Sequence, residues 1–301
     1  MKPTRNQALA VLRSVAYASL FDYPLTLAQL HTSLVGERAE PQAIESWWRH
    51  SELLQATVEY RDGLFFPTGR ADLVRLRGRR ESVSRDLLAE NDRILQLMAR
   101  TPFVRMVALS GSLAHLNAEP SADLDVFVIT APGRVWSVTL SILVMARLLG
   151  YRRRLCLNYV VSERALAIEP ADLFAANQII HLKPISGRDV FGRFVAANPF
   201  VAAIYPNFES GIAAPESTPF KTALERVIAA AAPALERLAR AVYGWHLRRR
   251  STGWQSWDQV RLERECLKLH TTSHRAATLE RYDAAVALLL SDAAKKAALA
   301  S

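Results

Sequence analysis

The chain has 301 residues, half of them apolar and 22% charged, with a formal net charge of +9. That composition is globular, and the length suffices for two or three units with their own cores. It excludes a disulfide scaffold: Cys156 and Cys266 lie far apart, with neither zinc nor redox spacing. The positive surplus is mostly arginine, which suits an anionic partner without identifying it. The first residues lack the apolar core of a signal peptide. The most apolar helical stretch, 136–149, contains Ser137, Thr139, Ser141 and Arg147 and is too short to span a bilayer. A cytoplasmic protein with no membrane partner is therefore expected.

Residues 6–20 carry Leu9, Val11, Leu12, Val15 and Leu20 at helical spacing, and Pro24 ends that helix. Thr26 caps a short helix over 27–34, and Pro41 opens a third that runs to about residue 54. Two apolar runs, 56–60 and 64–67, flank Arg61-Asp62-Gly63, a hairpin signal. Three helices followed by a hairpin is the order of a winged helix-turn-helix, so residues 1–75 are read as a winged-helix-like module. Its third helix presents Glu45, Ser46, Arg49, His50 and Glu52. A groove-reading helix needs a basic face, so this mixture argues against specific duplex DNA binding and for a docking or scaffold role.

Residues 70–100 read as one long helix, with Arg75, Arg77, Arg79, Arg80 and Arg85 early in it and Gly78 as a point of interruption. Its 76–100 portion is expected to be a solvated connector. Thr101-Pro102 then opens a core region, 101–210. The expected order there is strand 104–109, loop, strand 124–129, a turn at Pro132-Gly133, helix 135–149 and strand 154–161. An amphipathic helix over 172–182 follows, with Asn177 and His181 on one face. Residues 211–219 read as a linker and 217–301 as a helical domain. Within that domain His270 and His274 stand four apart, a spacing able to hold a metal but with no completing ligand.

The chemistry concentrates in 109–130, LSGSLAHLNAEPSADLDVFVIT. Ser110-Gly111-Ser112 breaks an apolar strand. Gly111 can take positive φ and admit a close backbone approach, and the N–H groups of such a turn can cradle a phosphate. Asp123 and Asp125 are two apart at the start of the next strand, so both carboxylates leave one face. Paired like charges repel unless a cation lies between them, and hard divalent cations prefer carboxylate oxygens. The combination points to a site for a divalent metal and a nucleoside triphosphate.

This stretch resembles the nucleotidyltransferase superfamily that includes DNA polymerase β, aminoglycoside nucleotidyltransferases and the small MNT-type proteins. Gly111, Ser112, Asp123 and Asp125 match its Gly-Ser turn, spacer and acid–apolar–acid strand. The likeness covers about residues 104–161. It implies an α+β fold: a mixed-sheet nucleotidyltransferase core with flanking helices, between the N-terminal winged-helix-like module and the C-terminal helical domain. It implies a transferase that moves an NMP from an NTP to a hydroxyl on a protein, small molecule or RNA. Asp123 and Asp125 would hold Mg²⁺, and Ser110, Gly111 and Ser112 would bind the nucleotide. Two departures stand out. Leu113 and Ala114 follow the turn where many relatives carry a basic residue. The third family carboxylate falls on the strand LCLNYVV, where the polar candidate is Asn158, which cannot take a proton as a carboxylate does. Glu163 is the nearest acidic substitute, and Arg134 a candidate phosphate contact. The loss of the third acid supports an alternative, a catalytically weakened nucleotide-binding regulator.

Overall fold

The computed structural model describes residues 2–211, 213–214, 219–255, 257–269 and 274–300. Helix α1 (Arg5–Ser19) starts at a capping box in which the Thr4 hydroxyl accepts from the Gln7 N–H and Gln7 Oε1 accepts from the Thr4 N–H. Thr26 and Gln29 repeat the device where strand β1 (Leu25–Thr26) enters α2 (Leu27–Thr32). The single helix expected over 41–54 is instead two, α3 (Pro41–Arg49) and α4 (Glu52–Thr57). Ser51 is extended between them, and its hydroxyl accepts from the Leu54 N–H at 3.3 Å, starting a new helix. The hairpin forms as expected from β2 (Val58–Arg61) and β3 (Leu64–Pro67). Asp62 and Gly63 both have positive φ, 51° and 78°, which matches a two-residue primed turn. The three strands order β1-β3-β2, and Leu12, Leu30, Ile44, Leu54 and Phe65 are fully buried beneath them.

Helix α5 (Asp72–Arg100) runs unbroken through Gly78. Its early arginines are not simply solvated, as the sequence suggested. Arg77 donates to Gln29 Oε1 at 2.9 Å and to the Pro24 carbonyl, and it lies over the Tyr23 ring. Arg80 pairs with Glu119 at 2.9 Å. These contacts tie the helix to the N-terminal module at one side and to the 115–123 loop at the other.

The larger sheet contains β4 (Val104–Leu109), β5 (Leu124–Thr130), β6 (Leu155–Ser162) and β7 (Lys183–Ser186). Helix α6 (Gly111–Ala114) is a single turn after β4, α7 (Val135–Leu148) joins β5 to β6, and α8 (Leu173–Ile180) follows β6. Helices α9 (Arg188–Ala196), α10 (Phe200–Ile204), α11 (Pro219–Ile228) and α12 (Ala232–Arg250) come next. Strands β8 (Val260–Leu262) and β9 (Cys266–Leu269) and helix α13 (Arg275–Ala300) complete the chain. The strand order is β7-β4-β5-β6-β9-β8, with β5 and β6 parallel and every other pair antiparallel. Alternation along the strands builds two apolar layers. Val107, Val126, Val128 and Val160 pack with α5, α7 and α12, whereas Ala108, Phe127, Ile129 and Val161 pack with α8, α9 and α10.

The overall class, α+β around a mixed sheet, is as expected. The reading of 217–301 as helical throughout is corrected: β8 and β9 form a hairpin that extends the sheet past β6. Their segments are too short to carry a period of their own, and the open edge of β6 supplies the partner. Helix α13 turns back instead to the N-terminal core, where Val286, Leu289 and Leu290 pack. Among the described residues no helix is long and apolar enough to cross a membrane.

Candidate active site

Strand β4 ends at Leu109, and the Ser110 N–H then donates to the Asp125 carbonyl at 2.9 Å, fixing the turn against β5. Gly111 has φ +62°, a conformation that side chains resist. A Cβ at this position would collide with the Asp125 carboxylate. The N–H groups of Gly111 and Ser112 open α6, so they have no intrahelical acceptor. The following loop is anchored from outside: the Ala118 N–H donates to the Ser84 hydroxyl at 2.9 Å, and Asn117 donates to the Phe21 carbonyl at 2.8 Å. The two carboxylates thus reach the turn on a fixed frame.

Asp123 is exposed just before β5, and Asp125, its second residue, is half-buried. Both line one cleft of about 690 Å³, with Ser110 and Gly111 at the same end. Burial, and then the neighbouring Asp123 charge, push the Asp125 carboxyl up to about 6, against a hydrogen bond from the Cys156 thiol. A carboxylate raised in this way is one that a cation would relieve.

The rest of the cleft is an apolar floor, including Phe127, Tyr159, Ile168, Phe174 and Phe194, with a polar wall from the C-terminal segment. Lys268 lies over the Tyr159 ring and donates to Gln259 Oε1 at 3.2 Å. Arg275 donates through Nε to Asp172 Oδ2 at 2.6 Å, and Glu169 stands on the rim near Arg261. Sequence spacing did not bring Lys268, Arg275 or Glu169 to the site. The one local signal was the lysine inside the apolar strand at 266–269.

The third strand departs from the expected register. Asp125 pairs with Cys156 and Phe127 with Tyr159, so one residue of β5 faces two of β6, a bulge. Cys156 and Tyr159 line the cleft, while Leu157 enters the opposite apolar layer. The Asn158 side chain lies outside the described residues. Glu163 is corrected as a substitute acid. It follows Ser162, at the other end of β6, roughly 20 Å along the strand from Cys156. There it pairs with Arg193 at 2.9 Å and Arg105 at 3.8 Å. Arg134 is likewise remote from the pair, stacked on Phe103. Ser112 lines not this cleft but a smaller cavity that it shares with Gly111 and His181. His270 lies outside the described residues, and His274 lies on the cleft wall.

Among the described residues no group of three or more His, Cys, Asp or Glu side chains is placed to hold a metal by itself. The two carboxylates nevertheless fit Mg²⁺. That ion is commonly held by one or two carboxylates and completes its octahedron with water and substrate phosphates.

No family model, no curated protein and no solved structure matches this chain.

Proposed function

We propose that the chain is a Mg²⁺-dependent nucleotidyltransferase of the superfamily that includes DNA polymerase β, joined to a winged-helix-like N-terminal module. The observation that carries the reading is the packing of the Gly111 turn directly on the Asp125 carboxylate, with Asp123 beside it at the end of a 690 Å³ cleft. Asp123 and Asp125 hold the ion. The Gly111 N–H, at the cleft, would donate to the triphosphate, and the Ser110 N–H, committed to Asp125, holds the turn. When bound, Mg²⁺ neutralises phosphate charge and makes the acceptor hydroxyl more acidic. The acceptor hydroxyl would give its proton to solvent water as its oxygen bonds to the α-phosphorus, the bond from that phosphorus to the bridging oxygen would break, and pyrophosphate would leave. The apolar floor and Tyr159 favour an acceptor with an apolar body.

The test is transfer of label from α-labelled NTPs in Mg²⁺ to an acceptor in a lysate. Asp123→Asn and Asp125→Asn are each expected to abolish it while leaving the fold intact. Labelling that persists in both variants would overturn the reading.

A second reading, a nucleotide-binding regulator with weak turnover, draws on one observation. Cys156, not a carboxylate, is the β6 partner of Asp125. General-base assistance contributes about a hundred- to ten-thousand-fold to rate. Under this reading Mg–NTP binds at micromolar concentrations, turnover is negligible, and Cys156→Asp raises it.

A further inference from the structure

A second cavity, of about 140 Å³, lies between α1, α8 and the start of the 115–123 loop. It shares Gly111 and Gln178 with the cleft, but neither Asp123 nor Asp125 lines it. Its volume suits one ring: an apolar cavity of about 150 Å³ accommodates benzene. No described residue of its lining is Asp, Glu, Lys or Arg, so it offers nothing to pair with a charged ligand. Much of the wall is aromatic, from Tyr17, Phe21, Tyr23 and Tyr205.

The polar groups are those of neutral recognition. His115 packs on His181, their rings tilted by 33° with centroids 4.1 Å apart, and meets Tyr23 edge-on at 5.5 Å. Burial holds both imidazoles neutral, His181 down to about 4 and His115 well below its ordinary value. His181 Nδ1 donates to the Asn177 carbonyl at 2.8 Å, which leaves Nε2 with a lone pair. Neither ring nitrogen of His115 has a hydrogen-bond partner among the described residues. The Tyr17 hydroxyl, on a side chain 3% exposed, has none either. An enclosed hydroxyl without a partner, such as that of Tyr17, is disfavoured unless something else satisfies it.

We propose that this cavity binds a neutral, planar heteroaromatic ring of nucleobase size, stacked on the aromatic wall and hydrogen-bonded by His115 and the Gln178 amide. A hydrocarbon ring would leave the imidazole nitrogens unpaired, and a charged ligand would find no counter-ion. The ring arrives either as a free base or as the base of a nucleotide in the neighbouring cleft. The assignment stands whether or not the chain transfers nucleotides.

The test uses the full chain in EDTA, with adenine, hypoxanthine, cytosine and uracil as probes and benzoate as the charged control, read by calorimetry and thermal shift. At least one base is expected to bind with 1:1 stoichiometry and raise the melting temperature, and benzoate is not. Ala18→Leu, which fills the cavity, should weaken binding at least tenfold. His115→Phe, which keeps the ring but removes both nitrogens, should do the same if the first variant fails to fold. Asp125→Asn should bind the base as wild type does, and this separates the proposal from nucleotidyl transfer. In a parallel series with Mg²⁺ in place of EDTA, competition by Mg–NTP in the wild type alone would identify the ring as a nucleotide's base. Absence of competition would identify a free base. No binding by any base at millimolar concentration, or equal binding by wild type and His115→Phe, overturns the proposal.

Discussion

Gly111 and Asp125 are in such close contact that a side chain on the first must displace the carboxylate of the second. The left-handed φ of +62° adds about 1–2 kcal/mol of strain for any residue with a Cβ. Gly111→Ala is therefore expected to lower the melting temperature by several degrees and weaken Mg–NTP affinity at least tenfold. Calorimetry on a sample held well below its melting point separates the two effects. A variant that melts lower yet binds Mg–NTP normally would make Gly111 a turn residue only.

The raised carboxyl of Asp125 has a stability consequence with a definite sign. The folded chain keeps the proton up to about pH 6, whereas an ordinary aspartate carboxyl releases it at 3.8. Between these values the folded state binds more protons than the unfolded one, so stability falls as pH rises. The penalty is fully present above about pH 6 and absent below 3.8. Asp125→Asn should stabilise the metal-free protein at pH 7.5 by about 2 kcal/mol and have no stabilising effect at pH 3.5, measured by urea unfolding. Excess Mg²⁺ should narrow the difference by stabilising the wild type alone.

The paired histidines have the opposite sign. His181 is held to about 4 and His115 is also lowered, with Lys183 adding to the burial of both. The unfolded imidazoles take up protons below about pH 6.5 while the folded ones remain neutral. Their contribution is complete above that value and is lost as pH falls towards 4. His115→Phe, which forfeits no hydrogen bond, should flatten the melting-temperature profile between pH 6.5 and 4.5. An unchanged profile would place the acid sensitivity elsewhere.

Glu236 on α12 closes the start of α7 across the chain. Its Oε1 accepts from the Trp136 N–H at 2.9 Å, and its Oε2 from the Ser137 N–H at 2.8 Å and from the Ser137 hydroxyl. The side chain is 7% exposed. Removing it leaves buried donors at a helix start without an acceptor, at a cost of about 3 kcal/mol. Glu236→Ala should lose that much in urea unfolding, and Glu236→Gln, which keeps one acceptor, about half. A loss under 0.5 kcal/mol for the alanine variant would mean that water replaces the carboxylate.

Much of the local structure was legible in the sequence because its causes are local. Thr26 caps a helix, Asp62-Gly63 closes a hairpin, and Gly111 permits a turn that other residues resist. The spacing of two put Asp123 and Asp125 together before any fold was known, although only Asp125 lies within β5. The helix break at Ser51 was missed because its cap competes with a continuing apolar pattern. What needed the tertiary structure was everything that depends on which element lies beside which. The bulge that puts Cys156 and Tyr159 in the cleft arises from pairing between β5 and β6, and strand periodicity alone carries no record of a partner's register. Lys268 and Arg275 reach the cleft because β9 completes the edge of β6 and α13 returns to the N-terminal core. The cavity of His115 and His181 forms where three distant segments meet. Periodicity and turn chemistry act over a few residues, but a wall or a cavity is made by contacts between residues a hundred or more apart.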